Sequence, residues 1–236
     1  MNIAVIGTGH MGAPIARALW QAQCTVTVCN RTPARAHALA ATCPGITVAP
    51  DIATAAAGAS IIILAVKPHL ILSTLAIAAA AAPDAAIVSL APGITLAELR
   101  RAGAAAPLRL MPNIAITCGQ GMSFICSDPD QAHTAAALAD LLRPTGSVAI
   151  VEERLFEPAM AVASCGIAFA LRYIHATAQA ATALGIAPDS ATAYAAATLR
   201  GAAALLEAAP GTHPEALIAT VPPPGGAPRR GHRALE

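Results

Sequence analysis

The chain has 236 residues, of which 56% are hydrophobic, 11% are charged and only 3% are aromatic, and its formal net charge is +1. So much apolar surface and so little charge favour collapse, which excludes a fully disordered chain. The absence of a basic excess disfavours nucleic-acid binding by phosphate neutralisation. The mean hydropathy of +0.61 comes mostly from alanine, and no stretch approaches the ~20 strongly apolar residues of a spanning helix. We therefore expect a soluble protein with no membrane or nucleic-acid partner.

The cysteines are scattered along the chain and form no C-x-x-C pair. They are Cys24, Cys29, Cys43, Cys118, Cys126 and Cys165. Several lie in apolar runs, where cysteine behaves as a small hydrophobic residue. This spacing predicts neither a disulfide framework nor a metal site. Because the N-terminus also shows no basic n-region or cleavage site, a reducing, cytoplasmic compartment is expected.

Short β-branched runs alternate with alanine-rich helical stretches up to about residue 151. The predicted strands are residues 3–6, 25–29, 61–65, 86–90, 108–111 and 148–151. The predicted helices between them are residues 11–21, 33–41, 68–81, 96–102 and 130–142. This alternation is typical of βαβ units, and apolar strand runs indicate helices on both faces of the sheet. The fold class is therefore α/β with a doubly wound parallel sheet over residues 1–151.

The pattern changes after Val151, because residues 152–209 have a helical sequence pattern and no predicted strand. Residues 152–236 are therefore predicted to form a second, all-helical domain. Its alanine faces are typical of helix–helix packing, and a helical unit this apolar favours a partner subunit. Glu152 and Glu153 are expected to begin a solvent-exposed helix.

The strongest motif is a G-x-G-x-x-G placed directly after the first predicted strand. It consists of Gly7, Thr8, Gly9, His10, Met11 and Gly12. In this context Gly7 permits a tight turn, Gly9 lets the backbone approach a pyrophosphate, and Gly12 lets the helix close on the strand. The helix N-terminus adds free N–H groups and a positive dipole end. The motif predicts a Rossmann-type dinucleotide site, in which His10 either contacts the cofactor or is an ordinary solvent-exposed histidine.

The second predicted strand ends at Asn30, Arg31 and Thr32, where an NAD site would place an acid for the ribose 2′-hydroxyl. Arg31 can instead form a bidentate pair with a 2′-phosphate, and Asn30 and Thr32 can donate to it. The segment therefore favours NADP over NAD. The competing interpretation is an exposed arginine followed by a Thr32 helix cap, with proline at the first helical position.

Two further segments end predicted strands at the edge where ligands bind in an open α/β sheet. The first consists of Ala65, Val66, Lys67 and Pro68, and its proline fixes the path of the loop beside the cofactor. The second ends at Asn113, whose amide is predicted to bind the nicotinamide carboxamide or the substrate and is the candidate catalytic group. A turn-stabilising asparagine is the competing interpretation. The sequence shows no acid pair, nucleophile set or metal cluster, which fits cofactor-borne hydride transfer.

Taken in order, these segments resemble the pyrroline-5-carboxylate reductase family over nearly the whole chain. The matching segments are residues 7–12, 30–32, 62–68, 88–94, 109–113, 119–122, 166–169, 224–226 and 235–236. The resemblance implies NADPH-dependent reduction of 1-pyrroline-5-carboxylate to L-proline, the last step of proline biosynthesis. It also implies a Rossmann domain at residues 1–151, a helical dimerisation domain at residues 152–236, and a homodimer or higher homo-oligomer.

In that family a late Pro-Gly-Gly loop holds the substrate carboxylate, which implies that the amides of Gly225 and Gly226 face the substrate. This chain has proline where the family usually has a hydroxyl donor, at Pro222, Pro223 and Pro228. Arg229 is a hypothetical replacement donor; a solvated arginine is the competing interpretation. The departures leave two alternatives open: a reductase of a different imine or hydroxyacid on the same frame, and a non-catalytic NADP-binding protein.

Overall fold

A computed structural model describes residues 1–221 of the chain. The remaining residues, 222–236, include the predicted substrate groups Gly225, Gly226 and Arg229 and the three prolines of the altered loop. These predictions therefore lie outside the described residues.

Eight strands form one sheet in the order β3-β2-β1-β4-β5-β6-β7-β8. The strands are β1 (Asn2–Ile6), β2 (Thr25–Cys29), β3 (Thr47–Val48), β4 (Ile61–Leu64), β5 (Ala86–Ser89), β6 (Ala106–Pro112), β7 (Gly121–Ser127) and β8 (Gly146–Ile150). The helices beside the sheet are α1 (Gly12–Gln21), α2 (Pro33–Thr42), α3 (Ile52–Ala56), α4 (Ile71–Ala81), α5 (Leu96–Arg101) and α6 (Ala132–Leu142). Four more follow it: α7 (Glu153–Met160), α8 (Gly166–Ala183), α9 (Pro188–Ala208) and α10 (Pro214–Thr220).

The predicted fold class is confirmed, since the first six strands are parallel neighbours in the order of a Rossmann sheet. Alternate residues of β1 enter two different cores. Ile3 and Val5 pack with α1 on one face, whereas Ala4 and Ile6 pack with α4 on the other. Burial on both faces explains why this strand is apolar throughout.

The sheet is not wholly parallel, and two of its strands were not predicted. β7 pairs antiparallel with β6, with Leu108 opposite Ser127 and Pro112 opposite Ser123. The β7 sequence alternates between fully and partly buried positions, whereas the prediction relied on continuous apolar runs. β3 is only two residues long, too short for a periodic signal.

The chain divides into two compact units at Ile167 and Ala168, later than the predicted boundary after Val151. The first helix after the sheet, α7, therefore belongs to the sheet unit. Phe156 on this helix is 1% exposed and packs with Leu96 and Met111. Burial of this side chain accounts for the later boundary.

One helical run is longer and more apolar than the sequence predicts. Residues of α7, a π-helical turn at Ala161–Cys165 and α8 form a continuous run, Glu153–Ala183, that is long and apolar enough to span a membrane. The expectation that no such stretch exists is therefore wrong. Large side chains on α8 and α9 are also exposed, with Phe169 at 70% and Tyr194 at 62%.

Gly146 provides a test of how β7 and β8 fit together. Its φ is +129°, and a Cβ placed there would lie 2.1 Å from the carbonyl oxygen of Gly121. We expect Gly146→Ala to destabilise the fold by about 3 kcal/mol or more, because strain and overlap add. Gly58 has a similar positive φ of +71° but open space around it, so Gly58→Ala should cost about 1 kcal/mol. Urea unfolding measures both; equal losses would contradict the packing described here.

Candidate functional site

The glycine loop and the segment after β4 meet at the carboxyl edge of the sheet. Gly7 has a φ of +104°, and a Cβ there would lie 2.5 Å from the carbonyl oxygen of Ala65. A Cβ on Gly12 would lie 1.9 Å from the carbonyl oxygen of Gly7 and 2.9 Å from the Ala65 Cβ. Only glycine fits at either position, so the first helix begins in direct contact with two strand ends.

Gly9 differs from these two glycines because an added Cβ would meet nothing within 4 Å. The space beside its backbone is open, as close approach of a phosphate requires. No described side chain caps the first turn of α1. The backbone N–H groups of that turn are therefore available to bind an external anion. The Thr8 hydroxyl oxygen is buried and has no hydrogen-bond partner within residues 1–221. These features fit the pyrophosphate of a dinucleotide.

Asn30 connects the glycine loop to the end of β2. Its Oδ1 accepts a hydrogen bond from the Thr8 backbone N–H at 3.0 Å, and its Nδ2 donates to the Thr32 carbonyl at 2.9 Å. Much of its predicted capacity to bind a 2′-phosphate is thus used inside the protein. Arg31 is exposed, and the Thr32 side chain forms no cap hydrogen bond with α2. Arg31 and Thr32 therefore remain the groups that present donors at this edge.

The fold also places an acid near the end of β2 that sequence proximity did not reveal. Asp51 follows β3, and its charge contributes, after burial, to raising the pKa of the Cys29 thiol. The Asp51 carboxylate accepts a hydrogen bond from the Thr54 N–H at 2.7 Å as the N-cap of α3. This bond lowers the pKa of Asp51. Within the described residues, Asp51 therefore caps the N-terminus of α3.

The segment from Ala65 to Pro68 continues from β4 as predicted, although the strand ends at Leu64. The Ala65 N–H donates to the Ile6 carbonyl at 2.8 Å. Lys67 is exposed and precedes a 3₁₀ turn that begins at Pro68. The structure thus brings this segment and the glycine loop together at one edge of the sheet.

Asn113 is 5% exposed, and its side chain connects three backbone segments. Oδ1 accepts hydrogen bonds from the N–H groups of Ala115 and Met122, each at 3.2 Å. Nδ2 donates to the carbonyl of Ala163, in the π-helical turn, at 3.1 Å. These contacts agree with the interpretation of Asn113 as an asparagine that stabilises a turn. One Nδ2 hydrogen has no acceptor among the described residues, so the catalytic role of Asn113 stays a prediction that depends on it.

A buried ion-pair cluster near this edge was missed in the sequence. Arg109 on β6 has a side chain that is 2% exposed, and it donates to Glu153 at 3.3 Å and to Glu157. Its guanidinium carbon lies 4.1 Å from the centre of the Phe156 ring. Glu153 therefore does not simply begin a solvent-exposed helix. The available signal was one charged residue inside the apolar strand around residue 109.

Cys126, the residue opposite Arg109 in the β6–β7 ladder, is also buried. Burial raises the pKa of its thiol to about 12, although the nearby guanidinium acts in the opposite direction. The thiolate is the reactive form of cysteine, so this side chain stays an inert neutral thiol at physiological pH. The cluster of Arg109, Glu153 and Glu157 is therefore held by ion pairs, and the neighbouring Cys126 adds no nucleophile to it.

Two family models match different parts of the chain. One, described as pyrroline-5-carboxylate reductase dimerisation, covers residues 153–236. The other, described as NADP oxidoreductase, coenzyme F420-dependent, covers residues 2–93. The helical half is thus similar to a dimerisation domain, and the strands around the glycine loop are similar to an oxidoreductase.

Individual relatives agree with these matches. A pyrroline-5-carboxylate reductase of Treponema pallidum is 36% identical over 55% of this chain, a match that spans 49% of that protein, or about half its length. The enzyme of that name from Aquifex aeolicus is 27% identical over 100% of this chain and 89% of its own.

Solved structures also resemble the whole chain. A pyrroline-5-carboxylate reductase of Coxiella burnetii has a TM-score of 0.88 at 25% identity, covering 99% of this chain and 89% of that one. The Plasmodium falciparum pyrroline carboxylate reductase with NADP bound has a TM-score of 0.86 at 18% identity, covering 100% and 89%. The latter likeness concerns the fold alone.

Gly9 and Gly12 give a paired test of the site. Gly9→Ala meets open space and should leave stability within about 0.5 kcal/mol of the original. Its methyl group occupies the predicted phosphate position, so NADPH affinity should fall about tenfold or more. Gly12→Ala overlaps backbone and should destabilise the fold by about 1–3 kcal/mol. Thermal unfolding and fluorescence titration with NADPH separate the two effects, and unchanged affinity in Gly9→Ala would contradict the assignment.

Proposed function

We propose that the chain is a member of the pyrroline-5-carboxylate reductase family and that it uses NADPH to reduce the cyclic imine 1-pyrroline-5-carboxylate to L-proline. One observation carries the proposal: the glycine loop, the end of β2 and the segment after β4 converge at one edge of a Rossmann sheet. Gly7 and Gly12 press against Ala65 there, while the open side of Gly9 faces a space that suits a pyrophosphate.

Residues 7–12 and the first turn of α1 would hold the pyrophosphate of NADPH, and Arg31 and Thr32 would hold its 2′-phosphate at the end of β2. Asn30 supports both groups through its bonds to Thr8 and Thr32. Residues 65–68 would then lie beside the nicotinamide, because β4 is on the opposite side of β1 from β2.

When bound, NADPH supplies the hydride that reduces the C=N carbon. The protein holds the imine against the nicotinamide, since correct orientation removes much of the entropic barrier. A protonated imine brings its own proton from water, so this chemistry needs no dedicated general acid. We assign Asn113, Gly225, Gly226 and Arg229 to the substrate side, with Asn113 using its remaining amide hydrogen.

We further propose that the helical unit forms a homodimer. A match to a dimerisation domain over residues 153–236 supports homo-oligomerisation. Exposed side chains such as Phe169, Tyr194 and Leu205, which is 57% exposed, give α8 and α9 apolar surfaces that burial against another subunit would remove from water. All six cysteines are free thiols, which supports the cytoplasm as the compartment.

Turnover tests the reaction directly. Protein shown to bind NADPH should oxidise it, followed at 340 nm, when 1-pyrroline-5-carboxylate is added, and proline should appear in equal amount. Omitting the imine gives the background rate. Binding without turnover would contradict the proposed substrate and favour another imine or a non-catalytic NADP-binding protein.

Arg31→Ala tests the cofactor assignment. Removal of a charge-assisted bond to the 2′-phosphate should raise KM for NADPH about tenfold or more, with KM for NADH unchanged because NADH lacks that phosphate. Arg143→Ala makes the same charge change at an exposed ion pair with Asp140 and should alter neither value. Equal effects on NADPH and NADH would contradict the role of Arg31.

A further inference from the structure

The loop at residues 91–95, which follows β5, has three backbone N–H groups that donate to side chains. The Ser89 hydroxyl accepts a hydrogen bond from the Ala91 N–H at 3.2 Å. Glu98 accepts from the Thr95 N–H at 2.8 Å in a capping box that begins α5. Both ends of the loop are therefore held locally.

The middle of the loop and the start of α5 are held from a distant helix. Glu157 on α7 accepts a hydrogen bond from the Gly93 N–H at 3.4 Å, and Glu153 accepts from the Leu96 N–H at 2.7 Å. These contacts join residues 64 and 57 positions apart in the chain. Two carboxylates of one helix thus bind the loop and the first residue of the helix that follows it.

Arg109 holds the same two carboxylates from the other side. Its side chain is 2% exposed, whereas those of Glu153 and Glu157 are 36% and 45% exposed. A buried guanidinium is strongly unfavourable unless it is paired. The pairing therefore fixes Glu157 at the loop amide of Gly93 and Glu153 at the first amide of α5.

The loop lies at the nicotinamide end of the proposed site. The Leu90 N–H donates to the Leu64 carbonyl at 3.2 Å, so the loop begins next to Ala65. The sheet order β2-β1-β4-β5 separates the loop from the 2′-phosphate position by two strands. A dinucleotide whose pyrophosphate lay at β1 would extend its other end toward β4 and β5.

We propose that Glu157 and Glu153, held by Arg109, are positioning residues for the nicotinamide: they keep the loop at residues 91–95 in the shape that seats the ring. The inference rests on the proposed function, since it takes NADPH as the cofactor. It assigns the glutamates no proton transfer. Their effect on the ring is exerted entirely through the loop backbone.

The test compares two ligands that share the adenosine half of the cofactor. Calorimetric titration gives Kd for NADPH and for 2′,5′-ADP, which keeps the adenosine, its 2′-phosphate and one 5′-phosphate but lacks the second phosphate, the other ribose and the nicotinamide. Glu157→Ala should weaken NADPH about tenfold, the effect of one lost bond to a charged group, and leave 2′,5′-ADP unchanged. Glu157→Gln keeps an acceptor for Gly93 and should restore most of the NADPH affinity.

Glu152→Ala is the matched control, because Glu152 precedes the same helix and pairs with exposed Arg154. It should change neither Kd. Equal weakening of both ligands by Glu157→Ala, or no change in either, overturns the proposal. If Glu157→Ala does not fold, the same comparison with Glu153→Ala and Glu153→Gln decides it. Since no imine is present, a wild-type protein that binds NADPH without reducing 1-pyrroline-5-carboxylate refutes the reaction while leaving this test intact.

Discussion

Close backbone contact at the start of α1 is the constraint on which the site depends. Gly12 approaches the Gly7 carbonyl so closely that a Cβ would lie 1.9 Å from it, and Gly7 leaves no room for a side chain beside Ala65. These contacts aim the N-terminus of α1 at the space above β1. The buried strands β1 and β4 supply the rigid base, because helices cover both of their faces.

A second constraint comes from the buried charge of Arg109. A guanidinium on a core strand is tolerated only with compensation, which Glu153, Glu157 and the Phe156 ring provide. The Nε atom still lacks a partner among the described residues, so the compensation of the buried guanidinium is incomplete. The compensation ties α7 to the sheet, which explains why the compact sheet unit extends to Ile167.

The sequence predicted those parts of the fold and site whose signals are local. The G-x-G-x-x-G motif and the segment at residues 65–68 each combine a strand end with a turn, and the structure brings them together. β7 was missed because its burial alternates, and its antiparallel pairing with β6 has no local signal. The Arg109–Glu153 pair was missed because its partners are 44 positions apart. Asp51 was missed because it is distant from β2 in the sequence and only the fold brings it near the end of that strand.

The apolar helical run Glu153–Ala183 satisfies the length and hydropathy of a membrane span, yet its charges favour a protein partner. Arg172 lies within α8 and is exposed, and at a bilayer centre such a charge costs about 2.5–3.5 kcal/mol on insertion scales. At a subunit interface the same side chain can stay in water at the rim while neighbouring alanines pack. Alanine also permits close helix approach, so the composition that raised the mean hydropathy is the one that a helical dimerisation surface uses.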